Sequence, residues 1–76
     1  DETVLERVLM AAARRRLAIH HITIQEIGGA KSVGLDLELD ARMNLADAHE
    51  IASALEASIR DELGPEIEVD THIEPM

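Results

Sequence analysis

With 76 residues and no Phe, Tyr or Trp, the chain can form one domain whose small core is filled by Leu, Ile, Val and Ala, so a partner chain or an ion is expected to help stabilise it. Seven basic residues against 16 acidic ones give a net charge of −9, which repels phosphate backbones and anionic membranes and argues against a nucleic-acid ligand. There is no Cys, which excludes disulfides, thiolate metal sites and thiol redox chemistry, and no apolar run is long enough to span a bilayer.

From Glu2 to Leu17 the apolar residues Val4, Leu5, Val8, Leu9, Ala12 and Ala13 recur at helical spacing. Glu2 and Glu6 lie early and Arg14, Arg15 and Arg16 late, which matches the helix dipole. The arginine run reads first as a solvated helix end, with anion or membrane contact as the alternative. Ala18 to Ile27 is rich in β-branched residues, Gly28-Gly29 provides a two-residue turn, and Ala30 to Ala41 alternates, so this stretch is a predicted β-hairpin.

On the second strand Val33, Leu35, Leu37 and Leu39 face the core, which sends Asp36, Glu38 and Asp40 to an open face. On the first strand Ile22 and Ile24 face inward and His21, Thr23 and Gln25 outward, and strict alternation puts His20 on the core side. Pairing Ile27 with Ala30 then sets His21 opposite Asp36.

A second helix is predicted from Asn44, an N-cap with Asp47 three residues on, to Gly64-Pro65. Its core stripe is Leu45, Ala48, Ile51, Ala52, Leu55, Ile59 and Leu63, with His49 about 100° round from Ala48 at the stripe's edge. Glu66 to Glu74 alternates again, with Ile67, Val69, Thr71 and Ile73 inward and Glu66, Glu68, Asp70, His72 and Glu74 outward. The order helix, strand, strand, helix, strand implies an α/β (α+β) open-faced two-layer sandwich of ferredoxin-like type. It has a three-stranded mixed sheet with two helices on one face. The leucine-rich strand is expected in the middle, parallel to the last strand, with Asp36 and His72 close across the ladder.

His21, Asp36, His49, His72 and Glu74 are the candidate metal ligands. Zn²⁺ and similar cations take three or four N and O donors at ~2.0–2.2 Å, so such a site needs imidazole and carboxylate converging from different elements. His72 and Glu74 form an H-x-E pair on one strand face beside Asp36. The competing reading is an exposed acidic face that is merely solvated. His49 sits in the first turns of a helix, where the dipole favours the neutral, metal-binding imidazole. Its competing reading is a partly buried His bonded to a loop carbonyl. No nucleophile constellation or phosphate-cradling loop is present, and an open sheet face provides no water-excluding pocket, so enzyme activity is not expected.

NLADAHEIASALEASI followed by VDTHIEP, together with HHITIQEIGG and LDLELD, resembles the cytosolic C-terminal domain of the cation diffusion facilitator (cation efflux) family over nearly the whole chain. The resemblance implies a metallochaperone-like αββαβ fold spanning residues 1–76. It also implies a homodimer below a transmembrane domain that exchanges Zn²⁺ or a related divalent cation for protons, on the cytoplasmic side of a membrane. Metal binding to such domains is expected to draw the protomers together and bias transport. His21, His49, His72 and Glu74 fall on positions that often ligate metal in relatives. Asp36 stands where some relatives carry His, and Glu74 where some carry Asp. That harder donor set admits Mn²⁺ and Fe²⁺ as well as Zn²⁺, with Co²⁺, Ni²⁺ and Cd²⁺ also compatible.

The first residue, Asp1, fits a fragment or processed chain, which would be soluble by itself and unable to transport anything. Two other functions remain open on the residues alone. One is a metal-independent structural dimerisation module, and the other a stand-alone soluble metal-binding protein.

Overall fold

Alternating apolar residues on three strands and helical stripes on two helices leave few ways to bury both at once. The computed structural model, which describes residues 3–76, adopts the expected solution. Its elements are α1 (Val4–Arg14), β1 (Ala18–Ile27), β2 (Ala30–Leu39), α2 (Leu45–Leu63) and β3 (Glu68–Pro75). The sheet order is β1-β2-β3, with β2 antiparallel to β1 and parallel to β3.

Helix α1 starts at Thr3, whose hydroxyl accepts from the Glu6 amide while the Glu6 carboxylate accepts from the Thr3 amide. This reciprocal cap satisfies two amides that the helix itself leaves unpaired. The predicted start at Glu2 lies outside the described residues. The helix ends before the predicted Leu17: Arg16 takes φ +56°, and the Leu17 amide reaches back to the Ala12 carbonyl. The arginine run is exposed, as expected of a solvated helix end, and two of its members also reach the second helix. Arg14 pairs with Glu62, and Arg15 Nε donates to Ser58 Oγ at 2.7 Å. Arg7 adds a bond to the Glu62 carbonyl at 3.1 Å.

Helix α2 has its expected caps, with the Asp47 amide donating to the Asn44 side chain at 2.8 Å and Gly64 ending the helix at φ +121°. Ala48, Ala52, Leu55 and Ile59 are buried, and Ile51 and Leu63 pack at the margin. Leu45 departs from the predicted stripe. It is 82% exposed at the first residue of α2.

The core lies between sheet and helices, and Leu37, Leu55, Ile59, Val8 and Val33 are its largest fully buried side chains. Each such side chain contributes roughly 1.5–3 kcal/mol by leaving water. Ile67, just before β3, and Val69 on it are buried, whereas Ile73, also predicted inward, is 42% exposed. Thr71 does face inward, and its hydroxyl oxygen is buried without a hydrogen-bond partner.

Candidate metal centre

With the core on one side of the sheet, the other side is open, and the parallel ladder fixes what stands there. The rungs are Gly34 with Asp70, Asp36 with His72, and Glu38 with Glu74. Asp36 and His72 are therefore immediate neighbours, as the alternation predicts. The open-face positions of β2 and β3 carry Asp36, Glu38, Glu68, Asp70 and Glu74, and neither Lys nor Arg. Among the described residues of the three strands, histidines are the only open-face groups able to offset these carboxylates, and β1 brings two of them.

The β1–β2 register slips by one residue between His20 and Thr23: His20 pairs with Asp36, and Thr23 with Gly34. His21 sits in this bulge at φ +51°, a left-handed backbone that a side chain with a Cβ rarely adopts. The bulge corrects two sequence expectations. His21 is not the backbone partner of Asp36, and His20 is not on the core side. Both imidazoles reach the open face.

His21 Nδ1 lies 2.9 Å from Asp36 Oδ2, and His20 Nε2 lies 3.0 Å from Glu38 Oε2. The expected His21–Asp36 partnership thus exists through side chains instead of backbone register. His20 was missed because alternation was assumed to run unbroken. The available signal was the spacing of Ile19 and Ile22, both packed against the core three residues apart where an unbroken strand gives two.

Two adjoining depressions follow from this arrangement. One, of about 560 Å³, is lined by His20, His21, Asp36, Glu38, Glu74 and Pro75. The other, of about 200 Å³, is lined by His21, Thr23, Gly34, Leu35, Asp36, Asp70 and His72. His21 and Asp36 belong to both. Asp36 is the most sheltered of the charged donors in the paired contacts, its side chain 22% exposed against 84% for His21.

His49 is not brought to this surface. It is exposed on α2, in the layer behind the sheet, and lines neither depression. Among the described residues no three His, Asp or Glu side chains converge closely enough to hold one ion. The donors instead form imidazole–carboxylate pairs on neighbouring rungs, a chemistry that suits borderline and harder divalent cations. A full coordination shell requires side-chain rotation or donors from a second chain.

Comparison with known proteins places this surface in context. The sequence model described as "Cation efflux protein, cytoplasmic domain" matches residues 2–76. The chain belongs to that family, which makes it a cytoplasmic domain of cation efflux proteins, a family of transporter domains rather than of enzymes.

Solved structures agree on the fold. The metal-bound C-terminal domain of the CzcD transporter from Thermotoga maritima superposes with a TM-score of 0.83 at 23% identity, covering 95% of this chain and 86% of that one. A MamM C-terminal domain variant in a cadmium form gives 0.83 at 22% identity, covering 99% and 96%, respectively. A nickel form of another MamM variant gives 0.80 at 21%, covering 96% and 95%. A search of curated proteins finds no match. No helix among the described residues is long and apolar enough to cross a membrane.

Proposed function

We propose that residues 1–76 are the regulatory cytosolic domain of a divalent cation/proton antiporter, binding Zn²⁺ or a similar divalent cation and forming a homodimer that biases transport. The observation that carries this reading is the open sheet face. It concentrates carboxylates and imidazoles, has neither Lys nor Arg at the facing positions of β2 and β3, and belongs to a cation efflux domain. The metal-bound CzcD domain and the cadmium and nickel forms of MamM variants lend support, because each pairs the same fold with a metal.

In this proposal Asp36, His21 and His72 hold the ion at the centre of the face, with Glu74 on the next rung and His20 reaching Glu38 there. His49, on the opposite layer, meets such a face only as the contribution of a second protomer. A bound divalent ion supplies positive charge that offsets the mutual repulsion of the carboxylates. Asp36 orients the His21 ring through its 2.9 Å contact, leaving Nε2 free to face outward. Two protomers each carrying −9 repel one another, so their approach through acidic surfaces depends on cation binding.

One observation favours a metal-independent dimer module instead: no three donors converge among the described residues. Thermal unfolding with and without Zn²⁺ separates the two readings. At ~100 times its dissociation constant, a ligand specific to the folded state adds about 2.7 kcal/mol, or roughly 10–20 °C for a domain of this size. The double variant Asp36→Ala with His72→Ala is expected to lose most of that rise. Equal shifts in wild type and double variant, or a chelator-treated chain that is fully dimeric and takes up no Zn²⁺ by calorimetry, would establish the metal-independent module.

A further inference from the structure

We propose that the outer flank of α1 and the adjoining margin of β1 form a docking strip for a second copy of this chain, packed antiparallel through Leu5, Leu9 and Ile24. The strip is separate from the open sheet face, needs no metal, and follows from how α1 is turned. Val8, Ala11 and Ala12 are buried, while Arg7 and Arg14 reach across to Glu62 of α2. At about 100° per residue, Leu5, Leu9 and Ala13 then fall together on the flank turned away from α2. Leu5 is 43% and Leu9 45% exposed, and Ala13 is exposed with them.

Helix α1 packs on β1, the edge strand below this flank. Ile24 pairs with the buried Val33 and so stands on the helix side of the sheet, where it is 39% exposed. It extends the strip of the two leucines. The bulge at His21 breaks the regular edge of β1, which disfavours pairing with another strand, so this margin presents apolar side chains and not a hydrogen-bonding ladder.

Charge selects the occupant. Residues 3–17 carry four Arg and one Glu in a chain of net charge −9, so two copies approach along α1 without bringing carboxylate surfaces together. Arg14 and Arg15 are engaged with α2. Glu6 stands at the start of α1, and Arg16, exposed and without a salt-bridge partner among the described residues, stands just past its end. A two-fold axis near Leu9 brings the Glu6 end of each helix to the Arg16 end of the other and sets Leu5 against the small Ala13. Antiparallel dipoles agree with this order, whereas a parallel pair would oppose like charges. Helix layer and open sheet face lie on opposite sides of the domain, so both contacts can form at once.

Sedimentation equilibrium of the chain in EDTA, up to about 1 mM to cover the weak end of the affinity scale, tests this. A reversible dimer is expected, weakened about 10-fold or more by Leu9→Glu, the magnitude of losing a central interface residue. Leu45→Glu, at an exposed leucine on α2, should leave it unchanged. With folding of both confirmed by circular dichroism, Arg16→Glu and Glu6→Lys should each weaken association, and an equimolar mixture of the two should restore it. Glu6→Lys gives up part of the α1 cap, and Leu9→Glu leaves that cap intact.

A chain that stays monomeric in EDTA, association that survives Leu9→Glu or is lost equally with Leu45→Glu, or a mixture no tighter than its components would overturn the strip. So would a monomer that floats with phosphatidylserine vesicles and loses them on Leu9→Glu, which assigns the flank to a membrane. Each of these outcomes leaves Zn²⁺ uptake at the sheet face to be decided separately by the Asp36 and His72 variants.

Discussion

Replacing His21 by Gly and by Ala gives opposite expectations depending on whether the β1 bulge exists. In an ordinary strand Gly is less stable than Ala by roughly 0.5–1 kcal/mol, because it gives up more backbone freedom on folding. At the observed φ of +51° a residue with a Cβ bears a left-handed penalty of roughly 1–2 kcal/mol, which Gly avoids. Both variants lose the contact to Asp36, and with the His21 side chain 84% exposed that loss is small and common to the two.

The difference between them therefore isolates the backbone. His21→Gly should exceed His21→Ala by about 1 kcal/mol, which is roughly 4–8 °C in melting temperature for a domain of this length. Thermal unfolding followed by circular dichroism in chelator measures it. Thr23, two residues on and paired regularly with Gly34, is the control, where Gly should fall below Ala. If Gly also falls below Ala at position 21, there is no left-handed residue there, and the placement of both His20 and His21 on the open face fails with it.

Two further expectations concern stability. Leu55 is fully buried between α2 and the sheet, so Leu55→Ala should cost about 2–5 kcal/mol in a denaturant titration. That is a large share of the stability of so small a domain, and a cost below about 1 kcal/mol would contradict this description of the core. Asp40 is held below the usual carboxylate range by its side-chain contact with Arg42, reinforced by the Arg42 amide. Glu6 is lowered likewise by the Thr3 amide and hydroxyl. For a depressed carboxylate the stabilisation is present above the unfolded value and is lost as pH falls through the folded one. Asp40→Asn should therefore melt below wild type at pH 7, and the gap should close on acidification below about pH 4. A gap that persists at low pH would refute the assignment.

Most of the fold was legible because strand parity and helix punctuation are local signals. Gly28-Gly29 fixes the hairpin, which sets Ile27 against Ala30, and Asn44 and Gly64 bracket α2. The leucines of β2 determine its buried face, and the parallel crossover then forces Asp36 beside His72. What alternation did not reveal was an inserted residue. The pair His20-His21 looks like any polar step in a β-branched run, and its consequence depends on backbone torsion that composition does not encode. Leu45 and Ile73 were misread for a different reason. Each has the right periodicity, but Leu45 is the first residue of α2 and Ile73 lies on an edge strand, and periodicity says nothing about either position. His49 shows the same limit between layers: its helix position was predicted correctly, but a helix behind the sheet does not share the sheet's open face.

The most direct test of the central claim is anomalous diffraction from crystals of the chain soaked in Zn²⁺. Metal peaks coordinated by Asp36 and His72, with His21 or His20 within bonding distance and any His49 contribution coming from a second protomer, are the predicted result. Ordered crystals that take up Zn²⁺ only away from the open sheet face, or not at all at concentrations saturating in solution, would contradict it.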